Sequence, residues 1–319
     1  MSTVKSVAVG VELAARGTTV ALIDRRGTIL QRLSARTLRG RPAVATIEPS
    51  LRAIETMFSY AHAWGYKVRG LGICVPGSLD SERHRPLLIP TLPSLNDFPL
   101  CDFLEARYRL PVRLHVDVDA ALLGEHRFGA GKGCNRLLFL TLNAVVGASL
   151  VVDGQLERSA QQYVGHISHM LVASNGPRCS CGRHSCINTL VSLEAMQKMV
   201  QRALRRGEQT SLTQRLLNRE YFSPQLLAEE AERGDSVSLQ VYGEVGRWLG
   251  VAMTRYIDLF EPHRLILGGD TLSTSDLILN HVRGILTTHS SSHVCTLIDV
   301  VPARLGSDAS MVGSVVSLL

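Results

Sequence analysis

The chain has 319 residues, of which 45% are hydrophobic and 19% charged, with a formal net charge of +6. These values describe a folded protein that is long enough for two domains, and they exclude a disordered or fibrous chain. The richest apolar run, residues 137–152, is interrupted by polar residues and glycine, so it predicts two strands and not a membrane span. Because the start of the chain shows no secretory signal, we expect a cytoplasmic protein. The arginines are spread thinly, so the positive charge permits nucleic-acid contact without establishing it.

Hydrophobic spacing predicts an opening β-meander and then alternating helices and strands. The predicted strands of the first part are 6–12, 18–23, 28–34, 70–75 and 112–116, and its helices are 42–64, 100–108 and 119–128. The second part repeats this alternation, with strands at 137–142, 148–152, 264–267 and 296–301 and helices at 192–206, 223–233, 236–259, 276–288 and 309–318. This order predicts a two-lobed α/β protein. The first lobe would span 1–116, with the last helix (307–319) packing back on it, and the second lobe would span 117–306.

Three of the seven cysteines lie within eight residues, at Cys179, Cys181 and Cys186, and His169 lies ten residues before the first of them. One imidazole and three thiolates form a complete tetrahedral shell for zinc, which leaves no open position for water. Disulfides are the alternative, but the cysteine count is odd and the compartment is expected to be reducing. We therefore predict a structural zinc loop at 165–188. The remaining cysteines are predicted to be buried small hydrophobic residues: Cys74, Cys101, Cys134 and Cys295.

Several motifs together resemble the ROK family of repressors, open reading frames and sugar kinases, a branch of the actin-like ATPase superfamily. They are the meander, the strand that ends Val75-Pro76-Gly77, the strand end that carries Asp117, the Cys-X-Cys-Gly cluster and the ending Leu305-Gly306-Ser307-Asp308-Ala309-Ser310-Met311-Val312-Gly313-Ser314. The resemblance implies a two-lobed actin-like (ribonuclease H-like) fold. It also implies a zinc loop that supports a sugar pocket, and it extends over nearly the whole chain.

The resemblance places Asp117 at the position of the catalytic base, which would take the proton from the attacking sugar hydroxyl. Without the resemblance, Asp117 or Asp119 is also a good candidate for capping the following helix. Gly124-Glu125 matches the family pattern as well, whereas Val116 stands where the family has an asparagine. Val116 cannot bond a sugar hydroxyl through its side chain.

Both phosphate-binding loops depart from the pattern of active kinases. The first would use Glu12, Gly17 and Thr18, but Ala14 and Ala15 replace glycines where phosphate must approach the backbone. The second is Asn143-Ala144-Val145-Val146-Gly147, in which only Gly147 of the expected glycines survives. The adenosine motif is better kept, at Gly268-Gly269, although a plain turn explains these glycines equally well.

The sugar pocket shows a similar change. The family positions for sugar contacts correspond to Gly77, Thr91, Val116, Asp117, His166, His169 and Asn188. Two of the family's glutamates are here His166 and Asn188, which can form hydrogen bonds but carry no permanent negative charge. Losing charge-assisted bonds of this kind weakens and redirects hexose recognition.

Two functions remain open. The first is a ROK-fold sugar sensor or regulator without catalysis, and the sequence favours this one. The alternative is an active hexose kinase that uses Mg-ATP, with Asp117 as base. The sequence contains no recognisable DNA-binding domain and no membrane segment, so we expect a small-molecule sugar as ligand and regulation through a partner protein. The family resemblance also implies a homodimer or homotetramer.

Overall fold

The computed structural model describes residues 5–15, 17–157, 167–272, 276–289 and 298–319. The fold is mixed α/β and has two compact units. The first comprises Met1–Gly133, Leu156–Tyr163 and Ser307–Leu319, and the second comprises Cys134–Gln155 and Val164–Gly306. Each unit has its own hydrophobic core.

The elements follow one another in a regular alternation along the chain. Up to residue 133 they are β1 (Ser6–Ala14), β2 (Gly17–Asp24), β3 (Ile29–Ala35), α1 (Ala43–Ala63), β4 (Lys67–Val75), β5 (Ser78–Leu79), β6 (Pro86–Leu88), α2 (Leu100–Tyr108), β7 (Val112–Val116) and α3 (Asp117–Phe128). From there they are β8 (Leu137–Leu142), β9 (Val146–Val152), β10 (Gln155–Leu156), α4 (Asn188–Val191), α5 (Leu193–Arg205), α6 (Leu212–Leu217), α7 (Pro224–Glu232), α8 (Ser236–Phe260), β11 (Arg264–Gly268), α9 (Asp276–His289), β12 (Asp299–Pro302) and α10 (Ala309–Ser314).

The two large sheets share one plan. The order is β3-β2-β1-β4-β7 in the first unit and β10-β9-β8-β11-β12 in the second. In each, an antiparallel hairpin (β1–β2 or β8–β9) is extended by two parallel strands. Because the carboxyl ends of parallel strands share one edge of a sheet, each unit brings its strand-end loops together there.

The helix α10 belongs to the first unit, although it is the last helix of the chain. Glycines allow its close approach: a Cβ at Gly72 would overlap the Ser314 carbonyl, and one at Gly313 would overlap the Ala120 carbonyl. The helix α3 packs against α10. This contact explains why α3 lies in the first unit, which extends to Gly133 and not to residue 116 as its sequence predicts.

Helix and strand patterns in the described residues otherwise follow the sequence closely. The helix α1 buries Ile47, Leu51, Ile54 and Met57 against its sheet. The last predicted helix is shorter than expected, because α10 ends at Ser314 and a separate 3-10 turn covers Val316–Leu318. Five short elements have no counterpart among the predicted ones: the helices α4 and α6 and the strands β5, β6 and β10.

No helix in the described ranges is long and apolar enough to cross a membrane. Cys74 and Cys101 are buried as expected, while Cys134 is only partly buried. Cys295 lies outside the described residues.

Candidate functional site

The predicted metal ligands form one cluster in the loop between β10 and α4. The donor atoms of His169, Cys179, Cys181 and Cys186 all lie within 4.8 Å of one another. The His169 Nδ1–Cys179 Sγ distance is 3.4 Å, and the Cys181 and Cys186 sulfurs are 3.6 Å apart. Ligands of a tetrahedral zinc ion, with bonds of about 2.0–2.3 Å, would lie about 3.5–3.8 Å apart. The four residues therefore fit a tetrahedral metal ion.

The loop that carries this cluster is closed by its own backbone hydrogen bonds. The Cys179 amide donates to the Arg183 carbonyl at 2.7 Å, and the Gly182 amide donates to the Cys179 carbonyl at 3.0 Å. The Arg183 amide and guanidinium lower the pKa of the Cys181 thiol to about 6, whereas burial raises the pKa of Cys186. A bound divalent cation favours the thiolate form of every cysteine that it contacts. Of these two thiols, Cys181 therefore ionises more readily than Cys186.

Asp117 lies where β7 ends and α3 begins. Its Oδ1 accepts a hydrogen bond from the Val118 amide at 2.8 Å. Burial, helped by the negative charges of Glu12 and Asp119, raises the pKa of Asp117 from an ordinary value of 3.8 to about 6. The residue at the N-cap position is Val116, and no side chain caps this helix. Asp117 is therefore the first residue of α3, where its carboxylate accepts a hydrogen bond from a first-turn amide, and the N-cap position suggested for Asp117 or Asp119 is occupied by Val116.

A buried ion pair beside Asp117 was not singled out from the sequence. Arg83, in the loop between β5 and β6, donates to Asp119 Oδ2 at 2.8 Å. Both residues are about nine-tenths buried. The pair attaches this loop to the first turn of α3. No sequence signal identifies the pair, since the two residues are 36 positions apart and the sequence presents Asp119 only as a candidate helix cap.

Glu12 is the first residue of the first phosphate-loop motif and lies on β1. It lies opposite Cys74 of β4 in the parallel register, so it reaches the same sheet edge as Asp117. Its Oε1 accepts a hydrogen bond from the Ser310 hydroxyl at 3.0 Å. Ser310 belongs to the ending motif that the sequence linked to the ROK family, and this contact gives that motif a role in holding Glu12.

The β1–β2 hairpin, which contains Gly17 and Thr18, is packed against neighbouring backbone. Thr18 is buried, and its hydroxyl lies 3.2 Å from the Thr37 hydroxyl, which in turn donates to the Ala14 carbonyl at 2.7 Å. Neither Ala14 nor Ala15 has a positive φ, so the alanines adopt this turn without strain. The hydroxyl that would contact phosphate is engaged within the protein.

The β8–β9 turn and the adenosine motif are joined by one side chain. Asn143 Oδ1 accepts a hydrogen bond from the Asp270 amide at 2.8 Å, directly after Gly268-Gly269. Gly269 has φ +95°, and a Cβ there would meet the Leu142 carbonyl. Gly147 pairs with Thr141 inside the hairpin and not at its tip. The tip exposes the Val145 side chain, which is 57% accessible.

The predicted sugar-site residues are divided between the two units. In the first unit, Gly77 has φ +112° and abuts the Leu88 carbonyl, a position that excludes any side chain, and Thr91 lies exposed in a turn. Val116 is half-buried against the core. In the second unit, Asn188 Oδ1 accepts a hydrogen bond from the Val146 amide at 3.2 Å, which ties the metal loop to β9. His166 lies outside the described residues.

Comparison with known protein families matches this architecture to one of them. A model of the ROK family matches residues 8–318. The glucokinase of Thermotoga maritima is 27% identical over 306 residues, which cover 96% of this chain and 95% of that protein. The xylose repressor of Bacillus spizizenii is 25% identical, over 78% of this chain and 60% of the repressor.

Solved structures give the same fold. A ROK family transcriptional regulator, described as a homologue of the E. coli MLC protein, superposes with a TM-score of 0.90 at 23% identity, over 98% of this chain and 78% of that one. A ROK family glucokinase from Streptomyces griseus, solved with glucose and AMPPNP, has a TM-score of 0.79 at 25% identity, over 97% and 98%.

Proposed function

Because the chain belongs to the ROK family, we propose that it binds a sugar and acts as a sensor or regulator, with little or no kinase activity. The proposal is supported most by the two candidate phosphate loops. At the β8–β9 tip, the Asn143 amide bonds the Val145 carbonyl at 3.2 Å, and an apolar side chain is exposed where kinases of this family present glycine. On the other hairpin, the Thr18 hydroxyl is paired with Thr37. Phosphoryl transfer depends on positioning and electrostatic stabilisation, so altering both loops costs orders of magnitude in rate.

The sugar part of the proposal is supported by residues that the family uses for this purpose. Gly77, Asp117 and His169 are retained, and the cluster of His169 with three cysteines fits a structural zinc ion. Asn188 replaces a glutamate and Val116 an asparagine of the family pattern, so one charged acceptor and one amide are missing, and we expect the preferred ligand to differ from glucose in at least one hydroxyl or substituent. The glucokinase from S. griseus was solved with glucose, which makes hexoses the first compounds to test. We further propose a cytoplasmic homodimer or homotetramer.

The second candidate function, an ATP-dependent hexose kinase, is favoured by Asp117. A carboxyl group with a pKa of about 6 is ionised at pH 7.5 and accepts a proton readily. Mg-ATP would then be bound through Glu12, Gly17, Thr18, Gly147, Gly268 and Gly269.

Two measurements on the purified protein separate these functions. ADP release is followed with Mg-ATP and a panel of hexoses and N-acetylhexosamines, and thermal unfolding is followed with ATP and with each sugar separately. We expect at least one sugar to raise the melting temperature, no rise with ATP, and no ADP release above background. Turnover of about one per second or more with any sugar, lost in the Asp117→Asn variant, would instead establish the kinase.

A further inference from the structure

The second unit contains a cavity of about 610 Å³ that no proposed sugar, nucleotide or metal residue lines. Its walls are the metal-loop segment at Asn175–Pro177, the helix α5 with the residue after it, and the first half of α8. The volume is within the range of small-molecule sites, about 300–1,000 Å³. Buried Ala203, Val237 and Val241 form an apolar part of the lining.

The polar part of the lining is strongly basic. Arg202, Arg206 and Arg247 face the cavity, and Glu244 is the one acidic residue among the lining residues. Glu244 pairs with Arg247 at 3.2 Å, and Arg206 pairs with Glu208 outside the cavity at 2.8 Å. Within the ranges that the structure describes, Arg202 has no carboxylate partner. Guanidinium groups bind carboxylate and phosphate with paired hydrogen bonds, so this lining selects an anion.

Two of these side chains are held in place before any ligand binds. The Arg247 guanidinium lies 3.9 Å from the centre of the Trp248 ring and also contacts the Glu244 carboxylate at 3.2 Å. Arg202 Nε donates to the Lys198 carbonyl at 3.2 Å. Because these contacts restrict the two side chains, less conformational entropy is lost when they bind an anion.

We propose that this cavity is a second ligand site, which binds a small organic anion that carries phosphate or several carboxylates. Its lining includes none of the residues proposed for the sugar site. It shares Asn175–Pro177 with the metal loop, where the Gly176 carbonyl accepts a hydrogen bond from His184 at 3.3 Å. An anion bound there contacts the same loop that carries the metal ligands.

The test uses Trp248 as a reporter, because the chain has only two tryptophans. In a Trp64→Phe background, fluorescence is titrated with glucose 6-phosphate, pyrophosphate and citrate at constant ionic strength, with glucose as the uncharged control. We expect a saturable change with at least one anion, with a Kd below about 1 mM, and none with glucose. Replacing Arg202 or Arg206 by Gln should weaken binding about tenfold or more.

The matched control is Arg205→Gln, since Arg205 is on the same helix but does not line the cavity. This variant and Asp117→Asn should both leave the Kd for the anion within about twofold of the wild-type value. Because Asp117 belongs to the proposed sugar site and not to this cavity, the anion proposal can hold even if the sugar proposal fails. The proposal is overturned if none of the three anions binds with a Kd below about 1 mM, or if Arg202→Gln and Arg205→Gln behave alike. It is also overturned if Arg202→Gln lowers the oligomer mass without any anion response, because a second copy of the chain would then cover the cavity.

Discussion

Replacing Asp117 by Asn should make the protein more stable at pH 8, although it removes the residue proposed as a catalytic base. Asn is nearly isosteric, and its carbonyl oxygen can keep the hydrogen bond from the Val118 amide. The folded protein holds the pKa of Asp117 at about 6, against 3.8 when the side chain is free. The folded state therefore binds a proton more tightly than the unfolded state, and Asp117 makes folding less favourable as the pH rises from 3.8 to 6.

The size of the effect follows from the two pKa values. At about 1.4 kcal/mol for each tenfold change in proton affinity, the ionised Asp117 costs about 3 kcal/mol at pH 8 and about 1.5 kcal/mol at pH 5. The Asp117 side chain retains some contact with solvent, and the solvent screens its charge. These two free energies are therefore upper bounds. The free energy of unfolding is measured by urea denaturation, followed by circular dichroism at both pH values, for the wild type and Asp117→Asn.

Asp119→Asn is the matched control on the same turn of α3. It breaks the buried ion pair with Arg83 and leaves a guanidinium without its carboxylate, which should cost about 3–5 kcal/mol at either pH. The reasoning is refuted if Asp117→Asn is less stable than the wild type at pH 8. A gain of equal size at pH 5 and pH 8 would refute it as well, because the proton linkage would then be absent.

Three further predictions test packing, metal binding and charge. Gly313→Ala should destabilise the protein by about 3 kcal/mol or more in urea denaturation, since its Cβ has no space, whereas Gly284→Ala on an open helix surface should be neutral or slightly stabilising. Cys181→Ser should lose the metal, which is measured by mass spectrometry of metals in the purified protein. The control variant His184→Gln, in the same loop, should keep about one zinc per chain. Equal metal content in the two variants would contradict the proposed metal cluster. Glu230→Gln should lower the free energy of unfolding by about 1–3 kcal/mol at pH 7, because two arginines donate to this buried carboxylate. The difference from the wild type should shrink as the pH falls below 4.5, since the pKa of Glu230 is lowered in the folded protein. A difference that does not depend on pH would contradict this explanation.

Local patterns in the sequence were sufficient for the elements and for the metal loop. The spacing of Ile47, Leu51 and Ile54 predicts α1 because a helix repeats every 3.6 residues. The cysteine spacing predicts the cluster because its three thiols come from one short loop, with only His169 further away. Such features depend on neighbours in the chain, which the sequence displays directly.

Contacts between distant parts of the chain could not be predicted in the same way. Asn143 and Asp270 are 127 positions apart, and nothing in either segment indicates that one side chain joins the two candidate nucleotide loops. The extent of the first unit was likewise decided by the glycine contacts of α3 with α10, which only the folded chain reveals. The Arg83–Asp119 pair belongs to the same class, because charged residues at the surface and in buried pairs look identical in a sequence.

The return of α10 to the first unit determines the order in which the protein can mature on the ribosome. Residues 1–133 are synthesised first, but the glycine-lined surface formed by Gly10 and Gly72 stays uncovered until residues 307–319 have been translated. At about 5–20 residues per second, this delay is about 9–35 s. The second unit is translated whole within that interval and can fold first. The growing chain therefore exposes an unfinished first unit for many seconds, which makes it a natural client for chaperones that bind nascent chains.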